Sequence, residues 1–369
     1  MPKLTHTLET SYIPSFRSES VAGMFDVDVQ KKMSKTWEID IPIEDIGEWS
    51  IGMIVGPSGS GKSSIARAAF PNARMFDGSK HEGWESPCFL DDFPGKLNVK
   101  DIVDSLSKVG FSSPPSWMLP FHVLSNGQKF RTEVARLCLS LAEGEIAVID
   151  EFTSVVDRKV AKVCSAAVQK MIRKAGKQMI AVSCHYDIAE WLEPDWIYHV
   201  DTGEFKLTRG TLRRPKIEIT VQRVHHSAWR MFREHHYLDS NVNKSSHCFI
   251  AMIDDEPVAF CAAMPFPHPK LKNMWRAHRT VCLPDYQGIG IGSALNDHVA
   301  QHFIDMGKRY SGVASHPAMI AHRLNSPKWK MTRAPGRVPE KGKTGNQKTS
   351  TNRLTASFEY IGVKKEDGK

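Results

Sequence analysis

The stretch SIGMIVGPSGSGKSSIARAAF, residues 50–70, constrains this chain more than any other. Ile51 to Val55 read as a buried strand, a glycine-rich loop follows, and a helix opens at Lys62. The spacing G-x-x-x-x-G-K-[ST] is complete as Gly56, Gly61, Lys62 and Ser63. Glycines let backbone N–H groups turn inward around phosphates, and the helix N-terminus adds its positive end. Lys62 is placed to reach the β and γ phosphates of a nucleotide, and the Ser63 hydroxyl to complete a Mg²⁺ shell. The whole run Gly56, Pro57, Ser58, Gly59, Ser60, Gly61, Lys62, Ser63 and Ser64 is assigned to nucleotide binding. The competing reading is a chance glycine turn before a helix.

A second element argues against chance. In GEIAVIDEFTSVVD, Ile146 to Ile149 form a short apolar run suited to a central parallel strand, with Asp150 and Glu151 at its carboxyl end, where α/β sheets bind ligands. Asp150 is expected to hold Mg²⁺ through water, with Ser63 as the other metal residue, and Glu151 to polarise the attacking water. The plainer reading, two solvated loop acids, leaves both strand and loop as coincidence.

With 369 residues, two domains of roughly 150 to 200 residues are expected. Composition is globular, with 41% hydrophobic and 24% charged residues, so general disorder is excluded. No apolar run reaches the roughly 18 residues that span a bilayer, and MPKLTHTLET lacks a signal-peptide pattern, so a cytoplasmic protein without membrane contact is expected. Seven scattered cysteines with no CxxC spacing point to reduced thiols rather than disulfides or zinc. Charge is uneven: residues 216–369 hold 23 Lys+Arg against 13 Asp+Glu, or +10, whereas residues 1–215 hold 26 against 28, or −2. Eleven of the 16 histidines also lie in the second part. An anionic partner for that part follows, nucleic acid, a phosphorylated cofactor, or both.

LSNGQ, Leu124 to Gln128, resembles the LSGGQ signature of ABC-type ATPases, and the helix after it begins with basic residues as in that family. Ser154-Val155-Val156-Asp157 matches the D-loop, and His185 in AVSCHYD follows a strand as the switch histidine does. The resemblance implies ATP sandwiched in a homodimer, with Ser125, Gly127 and Gln128 of one copy capping the γ-phosphate held by the phosphate loop of the other. Binding would close the pair and hydrolysis open it, as in a clamp or switch. The sequence departs from the family in three ways. Asp91 or Asp92 stands where a glutamine is expected. The segment from there to LSNGQ is short, which argues for a reduced membrane-docking subdomain and against transport. Asn126 replaces a glycine, a change expected to be tolerated because asparagine accepts tight turns. The adenine-stacking aromatic is Phe25 or Trp37.

After a basic linker at 209–215 a second pattern begins: a strand IEITVQ, an amphipathic helix HHSAWRMFREHH, strands HCFIAMI and PVAFCAAM joined by the 254–256 turn, and WRAHRTVCL. DYQGIGIG then opens a helix with Ala294, Leu295, Val299 and Phe303 on one side. QGIGIG alone could be a dinucleotide loop, but no acidic residue follows at the required distance and the preceding elements are hairpin-like rather than βαβ. This order resembles the GNAT superfamily of N-acetyltransferases. The resemblance implies that Gln287, Gly288, Ile289, Gly290, Ile291 and Gly292 bind the pyrophosphate of acetyl-CoA or another acyl-CoA, with the strand near Val281 to Leu283 holding the pantetheine arm. Such enzymes orient an amine, remove its proton and stabilise the oxyanion.

No tyrosine follows Tyr310 in the segment where the family often places its acid, leaving His316 and Ser326 as proton donors. For a base, His278 lies on the strand before the loop, and His235, His236 and Tyr237 end the first helix; a surface or core fate is the commoner one for each. HHYLDS, with the later SHP and SPKW segments, is similar to the phage-type Mom-like proteins that modify DNA bases, which would favour His236 and Tyr237 and a donor other than ordinary acetyl-CoA. Residues 332–353 carry six basic residues and one acid without periodicity and read as a mobile basic loop. With Trp229, Trp275 and Trp329 nearby, it suggests a nucleic-acid contact, against plain solubilisation.

The fold expected is α/β: a P-loop ABC-type ATPase domain (1–208), followed after the linker by an α+β GNAT-like acyltransferase domain (216–369). The expected activity is ATP hydrolysis coupled to N-acylation at nucleic acid. A protein or small-amine acceptor, and a non-catalytic ATP-switched clamp, are the alternatives.

Overall fold

The computed structural model describes residues 4–9, 13–26, 34–236, 241–267, 271–337 and 354–362. Two compact units form, one from Met1–Glu82 with Ser140–Arg214, the other from Gly83–Leu139 with Pro215–Lys369. The segment carrying LSNGQ therefore belongs to the same unit as the C-terminal part of the chain.

The first unit contains strands β1 (Leu4–Glu9), β2 (Ser34–Ile39), β3 (Ile51–Val55), β4 (Arg74–Asp77), β5 (Ile146–Asp150), β6 (Gln178–Ser183), β7 (Trp196–His199) and β8 (Glu204–Leu207). β1 and β2 form an antiparallel ribbon of their own. The other six make one sheet in the order β4-β5-β6-β3-β7-β8, parallel except for β8 at the edge. β3 reads as a continuous apolar run because helices Lys62–Ala69 and Arg158–Lys174 both pack on it and on β6, so all five of its residues are buried. Asp157 caps the second of these helices, accepting from the Lys159 N–H at 2.8 Å, and Arg173 and Lys174 close it at the negative end of its dipole. Ile54, Ile65, Val148, Ile180 and Trp196 are among the core residues that result. Because β6 lies between β3 and β5, the phosphate loop, His185 and the Asp150–Glu151 pair emerge from neighbouring strand ends.

The second unit is built on seven strands: β9 (Thr220–Val224), β10 (His247–Ile253), β11 (Glu256–Pro265), β12 (Met274–Cys282), β13 (Arg309–Ala314), β14 (Trp329–Arg337) and β15 (Leu354–Tyr360). Their order is β14-β15-β13-β12-β11-β10-β9. β10 and β11 join through Asp254 and Asp255, both with positive φ, as a two-residue hairpin of the favoured twist requires. β12 and β13 run parallel but pair only from Met274 to Arg276 against Arg309 to Ser311. Beyond that the ladder stops, although both strands continue. The helix Ile291–Asp305 covers the sheet with Leu295, Val299 and Phe303, as the pattern predicts, whereas Ala294 faces outward.

Other expectations change. HHSAWRMFREHH is not an α-helix but two short 3₁₀ segments, His226–Met231 and Arg233–His235. Its buried residues, Trp229 and Phe232, are three apart, which suits a period of three residues per turn. The basic stretch expected to be loop from 332 is strand as far as Arg337, paired with β15; residues 338–353 lie outside the described residues. Trp229 and Trp329 are buried, and Trp275 stacks on Phe303 at 4.4 Å, so all three tryptophans serve the core rather than offering rings to bases. The short segment before LSNGQ supplies the helix Val99–Lys108, which packs on the helix Pro317–Asn325. None of the seven cysteines forms a disulfide. No described helix is long and apolar enough to cross a membrane.

Candidate functional site

In the first unit the phosphate loop rises from β3 and turns into the helix at Lys62 through Gly59 (φ 75°) and Gly61 (φ 101°), both in the region that favours glycine. Gly56 is fixed sterically, since a β-carbon there would lie 2.9 Å from the Ser60 hydroxyl. Lys62 is buried, and its ammonium donates to the Pro57 carbonyl at 2.8 Å, folding back over the loop. The Ser63 hydroxyl donates to Asp150 Oδ1 at 2.9 Å, and Arg67 stands 3.8 Å from the other oxygen of that carboxylate. The Ser60 hydroxyl is buried with no hydrogen-bond partner among the described residues, a polar atom that a phosphate oxygen would satisfy.

Glu151 follows at the strand end with φ 52° and an exposed side chain, and Thr153 has φ 63°. Left-handed backbone at non-glycine residues costs energy, and Phe152 holds it in place by donating from its N–H to the Val182 carbonyl at 2.9 Å. His185, after β6, is fixed by its N–H donating to the Ser183 hydroxyl at 3.1 Å. Burial and then the Arg158 guanidinium lower its pKa, while Asp187 and Glu151 pull the other way, so it is neutral at pH 7. Lys62, Ser63, Asp150, Glu151 and His185 are thus gathered at one edge of the sheet. The residues fit Mg²⁺ and a nucleotide: a cation and a glycine-turned helix N-terminus for phosphate, a hydroxyl and a carboxylate for the ion.

Of the two aromatic candidates, Trp37 lies on the loop and Phe25 is 72% exposed on the helix Phe16–Phe25, which buries nothing. Trp37 Nε1 donates to the Ser60 carbonyl at 2.9 Å, joined by Lys35 Nζ at 3.1 Å. Lys35 was not predicted. Its signal is the i, i+2 spacing to Trp37, which puts both on one face of β2.

In the second unit LSNGQ forms a reciprocal cap on the helix Asn126–Ser140. The Gln128 N–H donates to the Ser125 hydroxyl at 3.3 Å, and the Ser125 N–H to the Gln128 amide oxygen at 3.0 Å. Asn126 is the first helical residue and has no positive φ, so no tight-turn tolerance is demanded of it. Ser125 and Asn126 are exposed and Gly127 is buried. Asp92 is held by the hydroxyl and N–H of Ser86, at 2.6 and 3.2 Å.

The loop Gln287 to Gly292 opens the helix Ile291–Asp305 through Gly288 (φ 90°) and Gly290 (φ 94°). Open space surrounds the position a β-carbon would take at Gly290, as a loop approached by a ligand requires. Gln287 is buried and spends its amide on the chain: Nε2 donates to the Cys282 carbonyl at 2.9 Å, and Oε1 accepts from the Ser112 N–H at 2.7 Å. With the parting of β12 and β13 beside it, this loop fits a pyrophosphate carrying an extended arm.

The histidines separate. His278 is the extra residue at a bulge between the Ala262 and Ala263 registers, and its Nε2 accepts from the Asn243 N–H at 3.1 Å. His236 packs edge-on to Trp229, and Tyr237 lies outside the described residues. His316, just beyond β13, caps the helix Pro317–Asn325 by accepting from the Ala318 N–H at its Nδ1. That leaves Nε2 carrying the proton, buried and without a partner among the described residues. Burial pushes its pKa down to about 4. Ser326 accepts from the Lys328 N–H in the turn after this helix.

Residues 186–324 match the family model of the acetyltransferase (GNAT) family, beginning upstream of β9. A comparison with curated proteins gives no match. Among solved structures, a dimeric ATP-binding cassette in a post-hydrolysis state bound to ADP and Pi is 18% identical, covering 47% of this chain and 90% of its own at a TM-score of 0.35. The ribosomal-protein-S18-alanine N-acetyltransferase from Escherichia coli is 16% identical, covering 41% and 99% at 0.29. A Bacillus subtilis acetyltransferase in complex with CoA is 9% identical, covering 39% and 98% at 0.28. Residues 186–324 are thus similar to the GNAT acetyltransferase family, and the nucleotide-site motifs upstream lie on a separate, mainly parallel sheet.

Proposed function

We propose that the protein is an ATP-hydrolysing ABC-type ATPase whose nucleotide cycle is coupled to acyl-CoA-dependent N-acylation. One observation carries the reading: two glycine loops, at Gly56–Lys62 and Gln287–Gly292, each open a helix through left-handed glycines, on two different sheets. The first suits a triphosphate with Mg²⁺ and the second the pyrophosphate of a CoA thioester.

In the ATPase site Lys62 neutralises phosphate charge, Ser63 and Asp150 hold Mg²⁺, and Glu151 orients water for attack. His185 stands beside them as a neutral hydrogen-bonding group. ATP hydrolysis supplies the free energy. Ser125 is exposed and Gln128 half-buried at a helix start, where Ser125, Gly127 and Gln128 cap a nucleotide held by another copy, so the working form is a homodimer. In the acyl site the loop amides hold the pyrophosphate, and the opening between β12 and β13 admits the arm. The His316 Nε2–H is a fixed neutral donor for the thioester oxygen, where negative charge develops. A bound acyl-CoA supplies the activated acyl group, and the chain orients the amine and excludes water. His278 is committed to the Asn243 N–H at Nε2, so the base role falls to His236 or to water.

The +10 charge of residues 216–369 supports nucleic acid as acceptor. Filter binding of DNA and RNA at low and moderate salt tests this; retention of neither leaves a protein or small-amine acceptor. ATP hydrolysis and acetyl-CoA turnover test the core of the reading. Lys62→Ala should abolish the first and Gly290→Trp the second. Full acetyl-CoA turnover by Gly290→Trp would make the loop assignment wrong, and ATP binding without acyl turnover would leave an ATP-switched clamp.

A further inference from the structure

Within the second unit, the helix that begins at LSNGQ reaches the turn that leads into QGIGIG. Arg131 is fully buried, and its Nη1 donates to the Pro284 carbonyl at 2.6 Å and Nη2 to the Asp285 carbonyl at 3.4 Å. Asp285 and Pro284 are in the 3₁₀ turn immediately before Gln287. A second bond runs from the Ser112 N–H to Gln287 itself. Gly110, with φ 84°, is pressed so close that a β-carbon would lie 2.6 Å from the Gln287 carbonyl oxygen. The acyl-CoA loop is therefore anchored at its entry by three points of the signature-bearing segment.

Arg131 also lies on the same turn of helix as Gln128, three residues on, where side chains are neighbours. The reciprocal cap ties Ser125 to Gln128, and the Thr132 hydroxyl donates to the Gln128 carbonyl at 2.8 Å. A cap residue cannot shift against such a helix start without moving the arginine. A buried guanidinium that donates to two backbone carbonyls transmits displacement because leaving either carbonyl unpaired is costly.

We propose that Arg131 is a positioning residue for the acyl-CoA loop, through which nucleotide engagement at Ser125–Gln128 and acyl-CoA engagement at Gln287–Gly292 alter each other's affinity. This rests on the assignment of the two loops above. Linkage requires the two effects to be equal: whatever factor Mg·ATP imposes on the acyl-CoA dissociation constant, acyl-CoA imposes on that of Mg·ATP.

The test uses the full-length Glu151→Gln protein, in which hydrolysis is slowed. Calorimetry gives the acetyl-CoA dissociation constant with and without saturating Mg·ATP, and the reverse titration. The expected factor is about fivefold or more, equal in both directions. Arg131→Met should bring it towards one while both ligands still bind, and Arg131→Lys should restore part of it. A factor of one in the parent protein with both ligands bound, or an undiminished factor in Arg131→Met, overturns the proposal while leaving the loop assignments standing. Failure of either ligand to bind the parent protein overturns those assignments instead. Should Arg131→Met not fold, hydrogen exchange of the amides from Asp285 to Gly292 in the parent protein decides: altered protection on adding Mg·ATP supports the coupling, and unchanged protection overturns it.

Discussion

The Ser63 hydroxyl donates to Asp150 across 87 residues of sequence, at 2.9 Å, and so ties the helix start of the phosphate loop to the end of β5. Both offer oxygens of the kind Mg²⁺ prefers, and the proposed ion would sit between them, beside strands β3 and β5 that flank β6. Asp150→Asn keeps the size and an oxygen but removes the charge. Mg²⁺-dependent ATP binding should weaken about tenfold or more, roughly 1.4 kcal/mol. Binding measured in EDTA should stay within about twofold of the parent protein. Equal losses with and without Mg²⁺ would place the ion elsewhere.

Trp37 lies against Gly61, where a β-carbon would come within 2.2 Å of the indole Cζ2. Gly61→Ala therefore meets two penalties, the indole and a φ of 101° that alanine adopts at a cost of about 1–2 kcal/mol. Trp37→Ala removes the first and not the second. In a double-mutant cycle read by ATP affinity and by chemical unfolding, Gly61→Ala should cost less in the Trp37→Ala background, by at least about 0.5 kcal/mol. Additivity would show that the indole yields freely.

Much of this arrangement was legible in the sequence because glycine spacing and strand hydrophobicity are local signals. Ile51 to Val55, Ile146 to Ile149 and the two loop-to-helix junctions fall where the pattern puts them. HHSAWRMFREHH misled because a three-residue apolar spacing fits both an α-helix and a 3₁₀ turn over so short a run. From 332 the sequence of β14 looks like loop because Arg333, Pro335, Gly336 and Arg337 break alternation, and pairing with β15 compensates. The roles of Arg131, Ser112 and Gly110 were invisible. Each contacts a partner more than 150 residues away, and an arginine on a basic helix reads as solvated until the surface it packs on is known.

Gly52 is the clearest steric requirement in the first unit. A β-carbon there would stand 2.0 Å from Trp196 Cζ2, and Trp196 is fully buried between Trp49, Phe70 and Phe205. The register pairs Gly52 with Trp196 directly, and the indole occupies the space that a β-carbon would take. Gly52→Ala should destabilise the protein by about 1–3 kcal/mol, the usual cost of overpacking a filled core. Urea unfolding followed by tryptophan fluorescence reads it. A change below about 0.5 kcal/mol would mean that Trp196 has room to turn away.

His316 gives a pH dependence with a defined sign. Its pKa is about 4 against the usual 6.5, because burial disfavours the charged ring. Between those values the unfolded chain binds a proton that the folded one refuses, so stability rises with pH across that window. The contribution is present in full above pH 6.5 and is lost as the pH falls towards 4, on the order of 3 kcal/mol over the window. His316→Asn keeps a side-chain acceptor for the Ala318 N–H but cannot titrate. Its unfolding free energy, measured in urea at pH 7.5 and pH 5, should therefore fall less between the two conditions than that of the parent protein. The same fall in both would show that the ring is solvated or finds a partner when charged. Acyl transfer tests the donor role separately. A neutral Nε2–H donor predicts that the parent rate stays flat from pH 6 to 8 as far as this group is concerned, while His316→Asn lowers kcat more than it raises KM, as loss of an interaction made only in the transition state must.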